Sequence, residues 1–145
     1  MKAVLWLILA IIVFIGGWYY FMEPKKTVEV VSATYTNNAK DLITVSDPLP
    51  GGTVAQTFTV SGTARGYWFF EGSFPAEVRD ASGAVIGTGL GSSVEEWMTE
   101  NFIPFTVPIT LVAPYTGPAT LVLKKDNPSA LPENDASVSI PIILQ

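Results

Sequence analysis

The chain has 145 residues and a formal net charge of −5, and it contains neither histidine nor cysteine. The two missing residue types exclude Ser-His-Asp and Cys-His catalysis, zinc sites built on those ligands, and disulfide bonds. The acidic balance also disfavours binding to nucleic acid or to anionic lipid headgroups, because charges of one sign repel each other.

The first predicted element is a membrane-spanning helix. Residues 3–22 carry no charge and are bounded by Lys2 and Glu23. A helix of this length rises about 30 Å, the thickness of the hydrocarbon core of a bilayer. Four aromatic residues crowd its C-terminal end, where they favour the membrane interface, and no small-residue cleavage pattern follows. We therefore expect residues 1–26 to form an uncleaved signal anchor and the exit from the membrane.

The part after the anchor is predicted to lie outside the cytoplasm at the cell membrane, because it is β-rich and threonine-rich with few lysines. Residues 27–40 are predicted to be a stalk or an extra strand, and residues 41–145 the folded domain. From residue 27 onward the chain has five basic residues against twelve acidic ones, a balance of −7.

The domain sequence predicts short strands in which apolar and polar residues alternate with a period of two. We expect these strands at 42–45, 53–64, 67–80, 84–90, 103–112, 119–124 and 137–142. The sequence Asp80-Ala81-Ser82-Gly83 predicts a hairpin turn, since glycine supplies the positive φ that such a turn needs. About seven strands with frequent turn signals predict an all-β fold, an antiparallel β-sandwich.

Two segments of this pattern are less regular. Pro104 and Pro108 cannot donate to a strand ladder, so they predict an edge strand or a bulge. In residues 92–101, Ser93 and Glu96 form a weak capping box, so a helical turn competes with a strand.

The aromatic block at residues 68–70 breaks the alternation. On the strand predicted at 67–80, Trp68 and Phe70 point inward with Phe74, and Phe69 and Glu71 point outward. One interpretation places Trp68, Phe70, Trp97 and Phe105 in the core, and the other exposes part of the set to a partner. Our candidate interaction surface consists of Trp68, Phe69, Glu71 and Trp97.

The remaining candidate sites are acidic. Paired carboxylates could hydrolyse a glycan, and the candidates are Glu71, Glu95, Glu96 and Glu100, although a solvated acidic face explains them more simply. An oxygen-rich loop with Asp126, Asn127, Glu133 and Asp135 could hold Ca²⁺, but it lacks EF-hand spacing and is typical of an Asx-turn loop. We therefore expect no catalytic residue, no metal and no cofactor.

Several stretches resemble a known module, the immunoglobulin-like domain of bacterial spore germination proteins, which is often found beside a GerMN domain. They are GTARGYWFFEGSFPAEVRDASG at 62–83, WM at 97–98, PF at 104–105, LVLKKDNPS at 121–129 and IP at 140–141. The resemblance covers roughly residues 41–143. It implies an immunoglobulin-like sandwich, an envelope or surface location and a binding or structural role, with no established catalytic residues.

These observations lead to one main hypothesis, a single-pass, membrane-anchored, extracytoplasmic module without catalysis. Its expected partners are the membrane, through residues 3–22, and an envelope protein or glycan, but no nucleic acid. One alternative is a structural subunit of a pilus-like or other surface assembly. A second alternative is a carboxylate-based glycan hydrolase.

Overall fold

The structure, a computed structural model, describes residues 30–145. The predicted membrane anchor at residues 3–22 lies outside the described residues. Within residues 30–145, no helix is long and apolar enough to cross a bilayer.

The described part of the chain is all-β, as predicted. Seven of its nine strands have five or more residues, while β1 and β3 have three residues each. The strands are β1 Thr34–Thr36, β2 Ile43–Asp47, β3 Gly52–Val54, β4 Thr57–Arg65, β5 Ser73–Asp80, β6 Val85–Ser93, β7 Phe102–Leu111, β8 Gly117–Lys124 and β9 Ser137–Leu144. Three short 3₁₀ turns complete the described elements, at Ala39–Asp41, Gly66–Trp68 and Pro132–Asn134.

All nine strands belong to one hydrogen-bonded network. Eight of them follow the antiparallel order β1-β9-β8-β5-β6-β7-β4-β2, and β3 adds to β9 in parallel. The 3₁₀ turn Ala39–Asp41 carries the chain from β1 at one end of this order to β2 at the other. Ala39 in this turn is completely buried, so both ends of the strand order reach the same core.

Inward side chains from both halves of the strand order form a single core. Phe74 of β5 meets Phe105 of β7 edge to face, with ring centroids 5.2 Å apart, although β6 separates the two strands in the sheet. Gly91 of β6 leaves the space that the Phe74 ring occupies, since a Cβ atom added at Gly91 would clash with Phe74 Cζ. The alternation predicted from the sequence is reproduced by completely buried side chains at Val60, Val78, Val107, Ile109, Leu121 and Val138. Burial of this apolar set is the main stabilising contribution.

Strand β7 is internal, so the prediction of an edge strand from Pro104 and Pro108 is wrong. The Leu111 N–H donates to the Gln56 carbonyl, just before β4, and the Val112 N–H donates to the Ile86 carbonyl in β6. Because N–H groups alternate in direction along a strand, the nitrogens of even-numbered residues of β7 face β6. The β6–β7 pairing is interrupted between Ile109 and Thr106, where Pro108 lies, and its last pair is Ser93 with Phe105. The Pro104 carbonyl still accepts the Val94 N–H at 3.0 Å. Both prolines thus occupy positions at which the ladder requires no donor.

The turn at residues 80–83 is confirmed. Gly83 has φ of 88°, and its N–H donates to the Asp80 carbonyl. The Asp80 carboxylate accepts hydrogen bonds from Ser82 and from the Ala84 N–H, which closes the turn. These bonds, that from the Ser82 hydroxyl above all, hold the pKa of Asp80 below its ordinary value.

Two other boundaries differ from the sequence prediction. The strand expected at 53–64 is divided at Ala55 and Gln56 into β3 and β4. Strand β6 extends to Ser93, and residues 94–101 form an irregular loop, neither a helical turn nor a strand. In this loop Glu96 accepts a hydrogen bond from the Met98 N–H.

Candidate binding cleft

The aromatic block does not lie on a strand. After β4, the 3₁₀ turn Gly66–Trp68 is followed by a tight reversal between Phe70 and Ser73, which exchange backbone hydrogen bonds of 3.0 and 3.1 Å. Glu71 and Gly72, the two central residues, have φ of 51° and 74°, as a type I′ turn requires. Regular β-structure therefore begins only at Ser73, six residues later than predicted.

This local geometry changes which aromatic side chains are buried. Trp68 is fully buried, as strand parity predicted, but Phe69 is only 5% exposed and Phe70 is 42% exposed, the reverse of the prediction. Strand parity fails here because a 3₁₀ turn and a two-residue reversal do not alternate their side chains between two faces.

Trp68 and Phe69 both pack in the core. Each contacts Phe74 edge to face, with ring centroids 6.2 and 5.4 Å apart respectively. The Trp68 carbonyl accepts the Asp126 N–H at 3.1 Å, while its indole Nε1 is buried without a hydrogen-bond partner in the described structure. Trp68 is therefore unavailable to a partner, whereas Phe69, which is 5% exposed, also reaches the lining of the cleft beside it.

Arg65, at the end of β4, holds the 94–101 loop in place. Its Nη1 donates to the Glu100 carbonyl at 2.7 Å and its Nε to the Asp41 carbonyl at 3.1 Å. The guanidinium also lies 4.5 Å from the centroid of the Phe102 ring, within the range of a cation–π contact. The loop thus has one cation fixing its C-terminal end to the rest of the sheet.

Trp97 fixes the other half of the loop. Its indole lies across Gly72 at the tip of the reversal, and the carbonyls of Trp97 and Thr99 lie against Gly66. The Ser93 N–H donates to the Gly72 carbonyl at 2.9 Å, which joins β6 to the reversal. The loop, the 3₁₀ turn and the reversal therefore form one connected unit.

An open cleft of about 490 Å³ lies beside this unit. Its apolar wall includes Tyr67, Phe70, Trp97 and Met98. Tyr67, Phe70 and Met98 are 55%, 42% and 72% exposed, and Trp97 is partly exposed. We name these four residues the aromatic wall of the cleft.

Three charged residues also line the cleft. The Tyr67 hydroxyl donates to Glu100 Oε1 at 2.8 Å, and this hydrogen bond raises the pKa of Tyr67. Lys125 Nζ donates to the Asn134 carbonyl at 3.1 Å, so its ammonium group is held by a backbone oxygen. Both ion pairs in the described structure lie at Glu77, which leaves Glu100 and Asp126 without a basic partner among residues 30–145.

The structure brings only part of the predicted site together. Trp97 and the largely buried Phe69 line the cleft, Glu71 is exposed at the tip of the reversal beside it, and Trp68 lies in the core. Tyr67, Phe70 and Met98 were missed, although the sequence Glu71-Gly72 was a turn signal that would have ended the predicted strand. Of the four carboxylates considered for glycan hydrolysis, Glu100 lies in the cleft, where it is exposed.

The oxygen-rich loop after β8 is held by its own side chains. Asn127 Nδ2 donates to the Leu131 carbonyl and to Asp135 Oδ1, and Ser129 donates to Asn127 Oδ1. Among the described residues, no group of three or more acidic side chains is arranged to hold a metal ion. These side-chain hydrogen bonds join Asn127 to both ends of the segment 129–135.

Comparison with known proteins identifies the domain. The family model of the immunoglobulin-like domain of bacterial spore germination matches residues 42–130, which include β2 to β8 and the whole cleft. No curated protein and no solved structure matches the chain. The matched region is more than half of the sequence, and the chain therefore belongs to the family of immunoglobulin-like domains of bacterial spore germination.

Proposed function

We propose that this protein is a membrane-anchored, extracytoplasmic binding module, without catalysis, that captures a protein or glycan of the bacterial cell envelope in its cleft. The observation that carries the proposal is the aromatic wall of Tyr67, Phe70, Trp97 and Met98. Large apolar side chains gathered on one side of an open cleft gain free energy when a partner covers them.

The rigidity of the cleft supports a binding role. The hydrogen bonds of Arg65 and the packing of Trp97 on Gly72 hold the 94–101 loop before any partner arrives. A site that is ordered in advance loses less conformational entropy on binding, so more of the contact energy appears as affinity.

The envelope location rests on the sequence. The uncharged run at 3–22 has the length of a membrane span, and the domain after it is acidic and free of cysteine. Protease added to intact cells should digest the domain and spare the anchor. A domain that is digested only after the cells are lysed would contradict this orientation.

The absence of catalysis rests on the residue types present. The chain has no histidine or cysteine, and Glu100 is an exposed carboxylate that already accepts a hydrogen bond from Tyr67. Glycoside hydrolysis usually needs a general acid whose pKa is raised by an apolar or like-charged environment. Release of sugar fragments from peptidoglycan by the purified chain, lost in Glu100→Gln, would replace our proposal with the hydrolase alternative.

Photo-crosslinking in living cells tests the binding role directly. A photoreactive phenylalanine analogue is placed at position 70 or 98 in the cleft, and at Val85 as a matched control. Val85 is 48% exposed and begins β6, outside the residues that line the cleft. We expect adducts from positions 70 and 98 alone, and equal labelling from all three positions would contradict a specific cleft.

A further inference from the structure

We propose that the cleft recognises a positively charged side chain, lysine or arginine, presented by a partner polypeptide. This inference rests on the proposed binding function and names the chemistry of the ligand. Two features of the cleft carry it, namely unneutralised carboxylates and exposed aromatic faces.

The negative charge in and around the cleft favours a cationic ligand. Glu100 and Asp126 line it and have no basic partner among the described residues. The third charged residue, Lys125, donates to the Asn134 carbonyl and keeps its charge, so the lining carries two carboxylates against one ammonium group. The neighbouring Glu95 and Glu96 on the 94–101 loop add further negative charge. An approaching cation is therefore attracted, and an anionic ligand is repelled.

The basic side chains of the domain are mostly engaged elsewhere. Arg79 and Lys124 both bind Glu77 on the face formed by β5 and β8. Arg65 is occupied by two backbone carbonyls and the Phe102 ring. Neither Glu100 nor Asp126 takes part in an ion pair among residues 30–145, so a cation supplied by a partner can pair with them.

The aromatic wall suits the same ligand. A cation over the face of tyrosine, phenylalanine or tryptophan gains about 0.5–1 kcal/mol at an exposed site. The domain already uses this contact at the edge of the 94–101 loop, where the Arg65 guanidinium lies over the Phe102 ring. Tyr67, Phe70 and Trp97 offer exposed or partly exposed rings beside Glu100.

A polypeptide fits the cleft better than the other envelope polymers. A neutral sugar could stack on the rings but would leave Glu100 and Asp126 unneutralised, and an anionic polymer would be repelled. Met98 and Pro128 add apolar surface, and the methionine side chain adapts to neighbouring groups of varied shape. A cationic side chain flanked by apolar residues uses both features of the cleft.

Selection from a random dodecapeptide display library tests the inference. The full chain in a neutral detergent is the target, and the double variant Tyr67→Ser, Glu100→Gln is the comparison target. We expect lysine and arginine to be enriched among peptides that bind the native chain, and the enrichment to disappear with the double variant. Glu133→Gln, which removes a carboxylate outside the cleft lining, controls for non-specific attraction and should select the same peptides as the native chain.

Calorimetry on one selected peptide then measures the contribution of the charge. Replacing its lysine by norleucine, or its arginine by citrulline, should weaken binding roughly threefold to thirtyfold, the range given by one cation–π contact with one exposed ion pair. Equal affinities, or enrichment that persists with the double variant, would overturn the inference.

Crosslinking of a glycan from position 70 would also overturn the inference, while the proposed binding function would stand. A lack of any crosslink from positions 70 and 98 would instead contradict the proposed function itself.

Discussion

The indole of Trp97 lies across Gly72, and a Cβ atom added at residue 72 would come within 3.2 Å of Trp97 Cδ1. Gly72 has φ of 74° in the reversal that turns the chain from Phe70 into β5. One glycine therefore serves two purposes, because it permits the turn and leaves room for the ring that forms part of the aromatic wall.

Gly72→Ala should weaken both the fold and the cleft. The positive φ alone is expected to cost about 1 kcal/mol of unfolding free energy, and the added methyl group must also displace Trp97. Gly83→Ala is the matched control, since Gly83 has φ of 88° but a Cβ added there would meet no atom within 4 Å. Chemical denaturation should show a loss in both variants and the larger loss in Gly72→Ala, whereas crosslinking from position 70 should fall only in Gly72→Ala. Equal crosslinking in both would show that the position of Trp97 does not matter for binding.

Substitutions within the aromatic block should separate core from surface. Trp68→Ala removes a completely buried side chain and should cost about 3–5 kcal/mol of unfolding free energy. Trp68→Phe should cost much less, because it also removes an indole N–H that is buried without a partner. Phe70→Ala should change the unfolding free energy by less than about 1 kcal/mol and reduce partner capture. Strong destabilisation by Phe70→Ala in a denaturant titration would place that ring in the core.

The strands of the core were predictable because each face of a strand has one environment. At Val60, Val78 and Val107, alternation alone identifies the buried side chains. The internal position of β7 was not predictable, since Pro108 excludes an ordinary ladder partner but not an interruption of the ladder. The sequence shows which residues lack an N–H donor, but the pairing of the neighbouring strand determines whether a donor is needed at that position.

The cleft was only partly predictable for a different reason. Trp97 and Glu71 were recognised as candidates from their residue types, but Tyr67, Phe70 and Met98 become a surface only when a turn and a distant loop meet. The contact that brings them together, between Arg65 and the Glu100 carbonyl, links residues 35 positions apart through a backbone oxygen. Such a contact leaves no pattern in a single sequence.

Arg65→Lys should loosen the 94–101 loop while keeping the charge. Arginine donates to two carbonyls from a planar group, and lysine cannot reproduce that fork. We expect faster amide hydrogen exchange in residues 94–101 and a loss of about 1 kcal/mol of unfolding free energy. Arg79→Lys, at an arginine that pairs with Glu77, provides the comparison and should leave exchange in the loop unchanged. Unchanged exchange in Arg65→Lys would mean that Trp97 packing alone orders the loop.

The ionisation of Glu77 should make the stability of the domain depend on pH in the acid range. Partial burial raises the pKa of Glu77, but hydrogen bonds from Lys124 and Arg79 outweigh it, so the net pKa lies below the ordinary value. The Lys124 Nζ lies 2.9 Å from Glu77 Oε2, and Arg79 Nε donates to Oε1 at 2.6 Å. Because the folded state holds the carboxylate more strongly than the unfolded chain does, its contribution is present above the unfolded pKa. The contribution is lost as pH falls through the folded pKa.

Glu77→Gln tests this dependence. At pH 7 the variant should be less stable than the native chain by about 1 kcal/mol, the scale of a partly buried ion pair with two cations. At a pH below the folded pKa of Glu77 the difference should shrink, because the native carboxyl group is then protonated as well. Urea unfolding followed by tryptophan fluorescence at both pH values measures the difference in unfolding free energy. Glu133→Gln is the control, because Glu133 is exposed and has no ion pair in the described structure. A difference that persists unchanged at acid pH would assign the loss to side-chain packing, because only the charge of Glu77 disappears on protonation.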